Sequence, residues 1–150
     1  MDKNSTHQAD WKTILHSHGL RATSAIVATL QCLESSSEAL SHDEITLRLA
    51  DTAPDRVTLY RILDRLDQTG LVKRYTDSHR LQRFAIKNEA PMGSFECDRC
   101  HHVIPIELDP VLEQAMQMVK SRLSQQGMEE REITLASYGL CSDCNIAPQK

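Results

Sequence analysis

Two pairs of cysteines are the residues of this chain best suited to chemistry. Each pair has the spacing C-x-x-C, and the four residues are Cys97, Cys100, Cys141 and Cys144. Two intervening residues allow both thiolates of a pair to reach one ion across a tight turn, and two pairs complete the tetrahedral sulfur shell that suits zinc. The pattern therefore predicts one structural Zn²⁺ per chain, which would hold together two elements about 40 residues apart.

The same motif also forms the redox pair of thiol oxidoreductases, where a cation or a helix N-terminus activates one thiol. Arg99 and His101 would supply positive charge beside the first pair. Two pairs at strand ends fit a closed metal site better, so we predict a protein that is not an enzyme. A redox sensor built on zinc thiolates remains compatible with the pattern. The fifth cysteine, Cys32, lies in an apolar helical stretch and is predicted to be a buried core thiol.

Composition narrows the class of protein further. The chain has 150 residues, of which 40% are hydrophobic, and a formal net charge of −4. This net charge excludes a strongly basic nucleic-acid binder but does not exclude a local basic face. No apolar run approaches the roughly 18 residues of a membrane helix, and the polar start MDKNSTHQAD has no apolar signal region. We expect a cytoplasmic protein without a membrane partner, and in that reducing compartment paired cysteines favour metal over disulfides.

The first half of the chain has the pattern of short helices followed by a hairpin. Apolar residues recur at helical spacing in segments at about 7–18, 23–33, 41–50 and 55–70. Start signals precede three of them: Thr23, the capping box from Ser41 to Glu44, and Asp55. The stretches LVKRY and LQRFAIK then predict two strands around the turn TDSH. This order of elements is the layout of a winged helix-turn-helix, whose fourth helix would read the major groove.

Charge supports that layout. The predicted fourth helix carries the polar residues Arg56, Thr58, Tyr60, Arg61 and Arg65. The hairpin stretch 71–87 has five basic residues and one acidic residue, Asp77, which gives a local charge of 5 − 1 = +4. The five are Lys73, Arg74, Arg80, Arg83 and Lys87. Backbone phosphates attract such a patch, so we predict double-stranded DNA as a partner and binding that weakens as salt rises.

The pattern changes after residue 87. We predict a winged-helix domain at 1–87, a hinge at 88–93 and a second domain at 94–150. In the second domain, strands flank the first cysteine pair, Asp109-Pro110 begins a helix that runs to about Gln126, and the segment EITLASYG predicts a last strand. A β-β-α-β unit of about 60 residues has little core of its own, so zinc and a dimer partner would each stabilise it.

Four segments then identify a family resemblance. They are GLRAT at 19–23, VTLYRILDRLDQTGLV at 57–72, CDRC at 97–100 and YGLCSDC at 138–144. With them the chain resembles, over nearly its full length, the ferric uptake regulator family of bacterial metal-responsive transcription factors. The phrase F-x-C-D-R-C is also similar to the zinc-uptake-regulator subgroup.

The resemblance implies an α+β protein with an N-terminal winged helix-turn-helix, a C-terminal α/β dimerisation domain and a four-cysteine zinc site. It implies a homodimer that binds a palindromic operator as a sequence-specific regulator, in the role of a repressor. By position, Arg21, Tyr60 and Arg61 would contact DNA. Arg56 and Thr58, on the same predicted helix, complete the expected DNA-binding set.

The sensory metal ligands that the resemblance implies are missing from this chain. The His-rich run expected before the first cysteine pair falls at 90–94, where the sequence is APMGS. The remaining expected ligand positions fall in 82–85 and at Ala39, Pro105 and Ile133. None of these carries a usual ligand for iron(II) or zinc. The chain therefore retains the residues expected for the family fold and the structural zinc site, but it lacks those of the usual co-repressor site.

Two explanations remain open. One is DNA binding without a regulatory metal, or in answer to another signal. The other is a metal- or redox-sensing repressor with a relocated site, for which the nearest ligand-type residues are His79, Glu89, His101, His102 and Glu107. Adjacent residues on a strand point to opposite faces, so His101 and His102 would not easily serve one ion. A pair formed by His79 and one of these two histidines is the more plausible arrangement.

Overall fold

The computed structural model describes residues 10–87 and 92–146. Within these residues, the structure contains no helix that combines the length and the apolarity needed to cross a membrane. The helices are α1 (Trp11–Ser17), α2 (Ser24–Glu34), α3 (His42–Leu49), α4 (Arg56–Gln68), α5 (Pro110–Gln125) and α6 (Ser142–Ile146). The strands are β1 (Leu40–Ser41), β2 (Val72–Thr76), β3 (Gln82–Ile86), β4 (Met92–Cys97), β5 (Val103–Glu107) and β6 (Ala136–Gly139).

The predicted helix starts are confirmed by their caps. The Thr23 hydroxyl accepts the Ile26 N–H, and Asp55 and Asp109 cap α4 and α5 in the same way. At α3 the capping box is complete, because the Ser41 hydroxyl accepts the Glu44 N–H and the Glu44 carboxylate accepts the Ser41 N–H. These contacts satisfy N–H groups that the first turn of a helix otherwise leaves unpaired.

The N-terminal half has the winged-helix architecture that its sequence predicts. Helices α2, α3 and α4 pack around a continuous core, and β2 and β3 form the antiparallel wing. Leu59, Leu63 and Leu66 of α4 are almost fully buried in that core, which fixes the rotation of the helix about its axis. The sequence did not predict β1, whose two residues pair with Phe84 and Arg83 of β3. Cys32 is buried, as predicted.

The C-terminal half is a three-stranded sheet with the order β5-β4-β6. Strand β4 pairs antiparallel with β5 and parallel with β6. The last strand is shorter than the sequence predicts, since 132–135 precede it without strand structure. The parallel pairing of β4 with β6 begins at Ser94 and Ala136. Only two residues of β4 precede Ser94, so β4 leaves little room for β6 to begin earlier. A Cβ on Gly93 would lie 2.9 Å from the Leu135 carbonyl oxygen, so glycine permits this close approach.

The two halves are in direct contact. Ala39 donates its N–H to the carbonyl of Val103 at 2.8 Å, and both side chains are buried in a small cluster with Tyr75 and Ala85. A cleft of about 380 Å³ also runs between the wing strand β2 and the C-terminal sheet. Of the predicted hinge at 88–93, residues 88–91 lie outside the described residues, and residues 92 and 93 belong to β4 instead. The Ala39–Val103 hydrogen bond and the small buried cluster therefore join residues that precede this segment to a residue that follows it.

Candidate metal centre and nucleic-acid interface

The topology of the C-terminal sheet brings the four cysteines together. Cys97 ends β4, and Cys141 follows β6 by two residues. Because parallel strands end at the same edge of a sheet, the turns that follow them meet. Their Sγ atoms, with those of Cys100 and Cys144, all lie within 4.8 Å of one another. Among the described residues, this is the one group of three or more ligand-type side chains close enough to hold a single ion.

Backbone contacts lock the two cysteine turns. Asp98 donates its N–H to the Gly139 carbonyl at 2.7 Å, and Cys141 donates its N–H to the Cys97 sulfur at 3.4 Å. The Arg99 guanidinium donates to the Cys144 carbonyl at 2.8 Å. The turns are therefore held by each other as well as by their strands.

Hydrogen bonds and burial shift the pKa values of two of these thiols in opposite directions. Backbone N–H groups of Cys100 and Cys141 stabilise the thiolate of Cys97 and lower its pKa to about 6. Loss of hydration, together with the neighbouring sulfurs, raises the pKa of Cys144 to about 12. Four thiolates within one sphere repel each other, and a divalent cation at their centre removes that cost. Four soft sulfur donors this close together fit Zn²⁺, which prefers a four-coordinate thiolate site.

The solvent-facing side of α4 carries the residues predicted to contact DNA. Arg56, Thr58, Tyr60 and Arg61 are all exposed near the start of the helix. Arg61 and Thr58 also line a shallow groove with Arg65. The Thr58 hydroxyl donates to the Asp55 carboxylate, so this side chain belongs to the helix cap. Arg21 is exposed in the turn between α1 and α2.

A histidine that the sequence did not single out supports this face. The ring of His42 stacks on Tyr60, with 4.1 Å between ring centroids and 22° between planes. His42 is buried, and its Nε2 lies 3.2 Å from the Arg56 carbonyl. The Arg56 guanidinium lies 5.9 Å from the Tyr60 ring centroid. No spacing rule links residues 42 and 60, so only the packing of α3 against α4 reveals the pair.

The wing offers fewer free cations than its sequence predicts. Arg74 forms ion pairs with Asp64 and Asp67 of α4, and Arg83 is buried between Glu44 and Asp77. Both arginines are therefore ion-paired within the chain, Arg83 in the interior and Arg74 at the surface, and the predicted wing charge of +4 overstates what DNA would meet. Arg80 is exposed at the wing turn.

The candidates for a relocated regulatory site are only partly brought together. His79 and His101 face each other, with 3.2 Å between their Nε2 atoms. His102 points elsewhere, since its Nδ1 lies 3.0 Å from the Glu38 carboxylate. Glu107 is at the opposite end of β5, roughly 13 Å along the strand from Val103. Glu89 lies outside the described residues.

A winged helix joined to an α/β domain with a four-cysteine cluster is an architecture typical of metal-binding transcription regulators. The model of the ferric uptake regulator family matches residues 17–138. That match covers most of the chain, so the chain belongs to the ferric uptake regulator family, whose members are DNA-binding, metal-responsive transcription regulators rather than enzymes. The predicted resemblance and α+β fold are thereby confirmed.

Individual relatives agree with this assignment at low identity. The ferric uptake regulation protein of Campylobacter jejuni is 22% identical over 139 residues, which cover 90% of this chain and 86% of that protein. The crystal structure of the Vibrio cholerae ferric uptake regulator superposes with a TM-score of 0.69 at 24% identity, covering 88% of this chain and 100% of that one. A zinc uptake regulator bound to zinc and DNA gives 0.65 at 23% identity, covering 90% of each chain.

Proposed function

We propose that this protein is a homodimeric repressor that binds a palindromic DNA operator through α4 and holds one structural Zn²⁺ per chain on its four cysteines. The observation that carries the proposal is the construction of α4. Its leucines are locked in the core while Arg56, Tyr60 and Arg61 face solvent together. A helix fixed in this way presents a defined set of guanidinium and phenol groups to the major groove.

Exposed apolar surface supports a second copy of the chain as partner. Helix α5 has sixteen residues and none of them is buried. Val111, Met118 and Val119 are 73%, 56% and 49% exposed, and Tyr138 of β6 is also exposed. Most of the stability of a helix in a protein comes from packing of its apolar face against other elements. Burial of α5 and the β6 edge against a partner would supply that packing, as expected for a dimer.

Dimerisation would explain how the molecule selects a palindrome. Two α4 helices related by a two-fold axis reach successive major grooves when they lie about 34–36 Å apart. Any change in the angle between the N-terminal and C-terminal halves changes that distance. The contacts between the wing and the C-terminal sheet are therefore the place where a signal would act.

Four cysteines on strand-end turns support a structural role for zinc. Cys97 is fully buried, so its low-pKa thiolate is shielded from solvent oxidants and substrates. This favours a closed metal centre over the redox pair of an oxidoreductase. The test is elemental analysis, for which we expect one zinc per chain and thiols that react only after chelation.

Binding to the protein's own promoter region tests the proposed function. Gel shifts with the zinc-loaded protein, alone and with added Zn²⁺, Mn²⁺ or Fe²⁺, should show a specific complex. The variant Arg61→Ala should lose it, whereas Arg131→Ala, an exposed arginine outside α4, the wing and the proposed dimer surface, should bind as the unmodified protein does. Absence of a complex under every condition would overturn the proposal.

A further inference from the structure

A pair of histidines joins the two halves of the molecule outside the cysteine cluster. His79 lies in the turn between the wing strands, and His101 directly follows the first cysteine pair. Their rings meet edge to face, with 4.2 Å between centroids and 3.2 Å between the two Nε2 atoms. The pair is therefore contributed by one residue from each half.

The separation of these nitrogens matches shared coordination of one ion. Two imidazole nitrogens bound to zinc at about 2.0–2.1 Å in tetrahedral geometry lie about 3.3 Å apart. A hydrogen bond from one ring to the other would give a similar distance, so the groups around the rings decide between the two. Imidazole suits Zn²⁺, Ni²⁺ and Cu²⁺ among first-row ions.

A buried carboxylate lies beside the histidine pair. Glu96 is 7% exposed, and it accepts hydrogen bonds from the Ser78 N–H and hydroxyl, which fixes the residue next to His79. Its Oε1 atom also lies 3.9 Å from the buried Nδ1 of His101, which has no hydrogen-bond partner, so the carboxylate faces Nδ1 but is too far away to accept a hydrogen bond from it. A metal-binding histidine typically directs its second ring nitrogen to a carboxylate, which places the proton on Nδ1 and leaves the Nε2 lone pair for the ion.

The backbone around each histidine is held in place. Asp77 accepts the N–H groups of His79 and Leu81 at 2.9 Å each, and its other oxygen is bound by Arg83. His101 has a φ of 60° and donates its N–H to the Cys97 carbonyl at 2.9 Å. Rigid supports of this kind allow two ligands from distant segments to keep a fixed separation.

We propose that His79 and His101 bind one divalent transition-metal ion between the wing and the C-terminal half. Solvent completes the coordination shell, because no third ligand-type side chain among residues 10–87 and 92–146 joins this pair within reach of one ion. The ion fixes the wing against the C-terminal sheet and thereby favours one spacing of the two α4 helices. This regulatory role rests on the proposed DNA-binding function, whereas the ion site itself does not.

Metal titration tests the site independently of DNA. Full-length protein that already holds one zinc on its cysteines is titrated with Ni²⁺ and with Zn²⁺ against a chromophoric chelator. We expect one further ion per chain, and at least tenfold weaker binding in His79→Gln and in His101→Gln. The matched controls His102→Gln, in the neighbouring Glu38 pair, and His16→Gln, on α1, should retain the further ion.

Each remaining outcome decides the proposal. A protein that binds no further ion, or variants that bind it as well as the unmodified chain, would show that the two rings are joined only by a hydrogen bond. Loss of the further ion in His102→Gln to the same degree would assign the site to other residues. Circular dichroism of each variant checks that the fold is retained, so weaker binding is not read from unfolded protein.

Gel shifts separate the site from its regulatory role. If the further ion changes operator affinity in the unmodified protein but not in His79→Gln, the coupling is established. An ion that binds without changing operator affinity would overturn the regulatory role and leave the site. A protein that binds the ion but no DNA would instead contradict the proposed function alone.

Discussion

The imidazole of His42 stacks on the phenol ring of Tyr60, so the first residue of α3 supports the exposed face of α4. His42 is buried, whereas Tyr60 remains 40% exposed on the side away from the stack. Arg56 approaches the same Tyr60 ring. An aromatic side chain that is held by a stacked ring but still partly exposed is pre-organised for contact, because little rotamer freedom is left to lose when DNA binds.

Removal of the stacking ring should weaken DNA binding without removing a DNA-contacting residue. We expect His42→Ala to lower operator affinity by about 2- to 10-fold, the value of one aromatic pair. Fluorescence anisotropy with a labelled operator measures this change. His42→Phe keeps a stacking ring and should restore most of the affinity. Equal affinity in His42→Ala and the unmodified protein would mean that Tyr60 needs no support.

The wing turn should contribute charge through Arg80. Replacement by Arg80→Gln removes one exposed cation, and we expect the slope of log affinity against log salt to fall by about 1. The control Arg131→Gln removes an exposed cation outside the wing and outside α5, and should leave the slope unchanged. Operator affinity measured over a series of salt concentrations distinguishes the two variants. An unchanged slope for Arg80→Gln would place this turn off the DNA.

The buried Arg83 should make the stability of the N-terminal half depend on pH. Burial raises the pKa values of Glu44 and Asp77, but hydrogen bonds and the Arg83 charge outweigh it, so both pKa values are lowered. A carboxyl group with a lowered folded-state pKa stabilises the fold above its unfolded-state pKa, and that stability is lost as the pH falls through the folded-state pKa.

We therefore expect Arg83→Met to lower the free energy of unfolding at pH 7 by about 3 kcal/mol, the lower end for a buried pair because Glu44 is partly exposed. Below about pH 4 both carboxyl groups of the variant become protonated, and its deficit should shrink. Urea unfolding of both proteins from pH 7 to pH 3 measures the difference. A deficit that stays constant with pH would show that packing, not charge, accounts for the loss.

Loss of one cysteine ligand should remove the zinc and loosen the C-terminal half. We expect Cys144→Ser to bind zinc far more weakly and to melt at a lower temperature, because metal binding and folding are coupled at such sites. Cys32→Ser serves as the control, since Cys32 is buried in the N-terminal core and should leave the zinc content at one per chain. Zinc analysis after dialysis against a chelator gives the comparison. Full retention of zinc by Cys144→Ser would exclude a four-cysteine site.

The sequence predicted most helices because their signals are local. The capping box of Ser41 and Glu44 and the Asp109-Pro110 start are short-range features, and the structure contains both. Strand β1 was missed because two residues have no periodicity, and their pairing depends on β3 more than 40 residues later. The last strand was predicted too long because the alternating pattern in 132–139 does not show where its partner strand, β4, begins and pairing can start.

In the candidate sites, too, the sequence predicted local features but not contacts between distant elements. Cysteine spacing predicted the cluster, since the motif itself encodes the geometry of the turn. The opposing directions of His101 and His102 were also predicted, although His101 lies in a turn with positive φ and not in a strand. Ion pairs of Arg74 and Arg83 were not predicted, because their acidic partners come from other elements. Charge counted along a sequence does not distinguish a free cation from a neutralised one.

The parallel pairing of β4 with β6 has a consequence for synthesis of the chain. The helices and paired strands of the winged helix lie within residues 10–87, whereas the cysteine cluster needs Cys144. At about 5–20 residues per second, roughly 3 to 11 seconds separate these two points on the ribosome. The winged helix can thus mature before the cysteine cluster exists. Zinc supply during translation would then set how many finished chains acquire a complete second half.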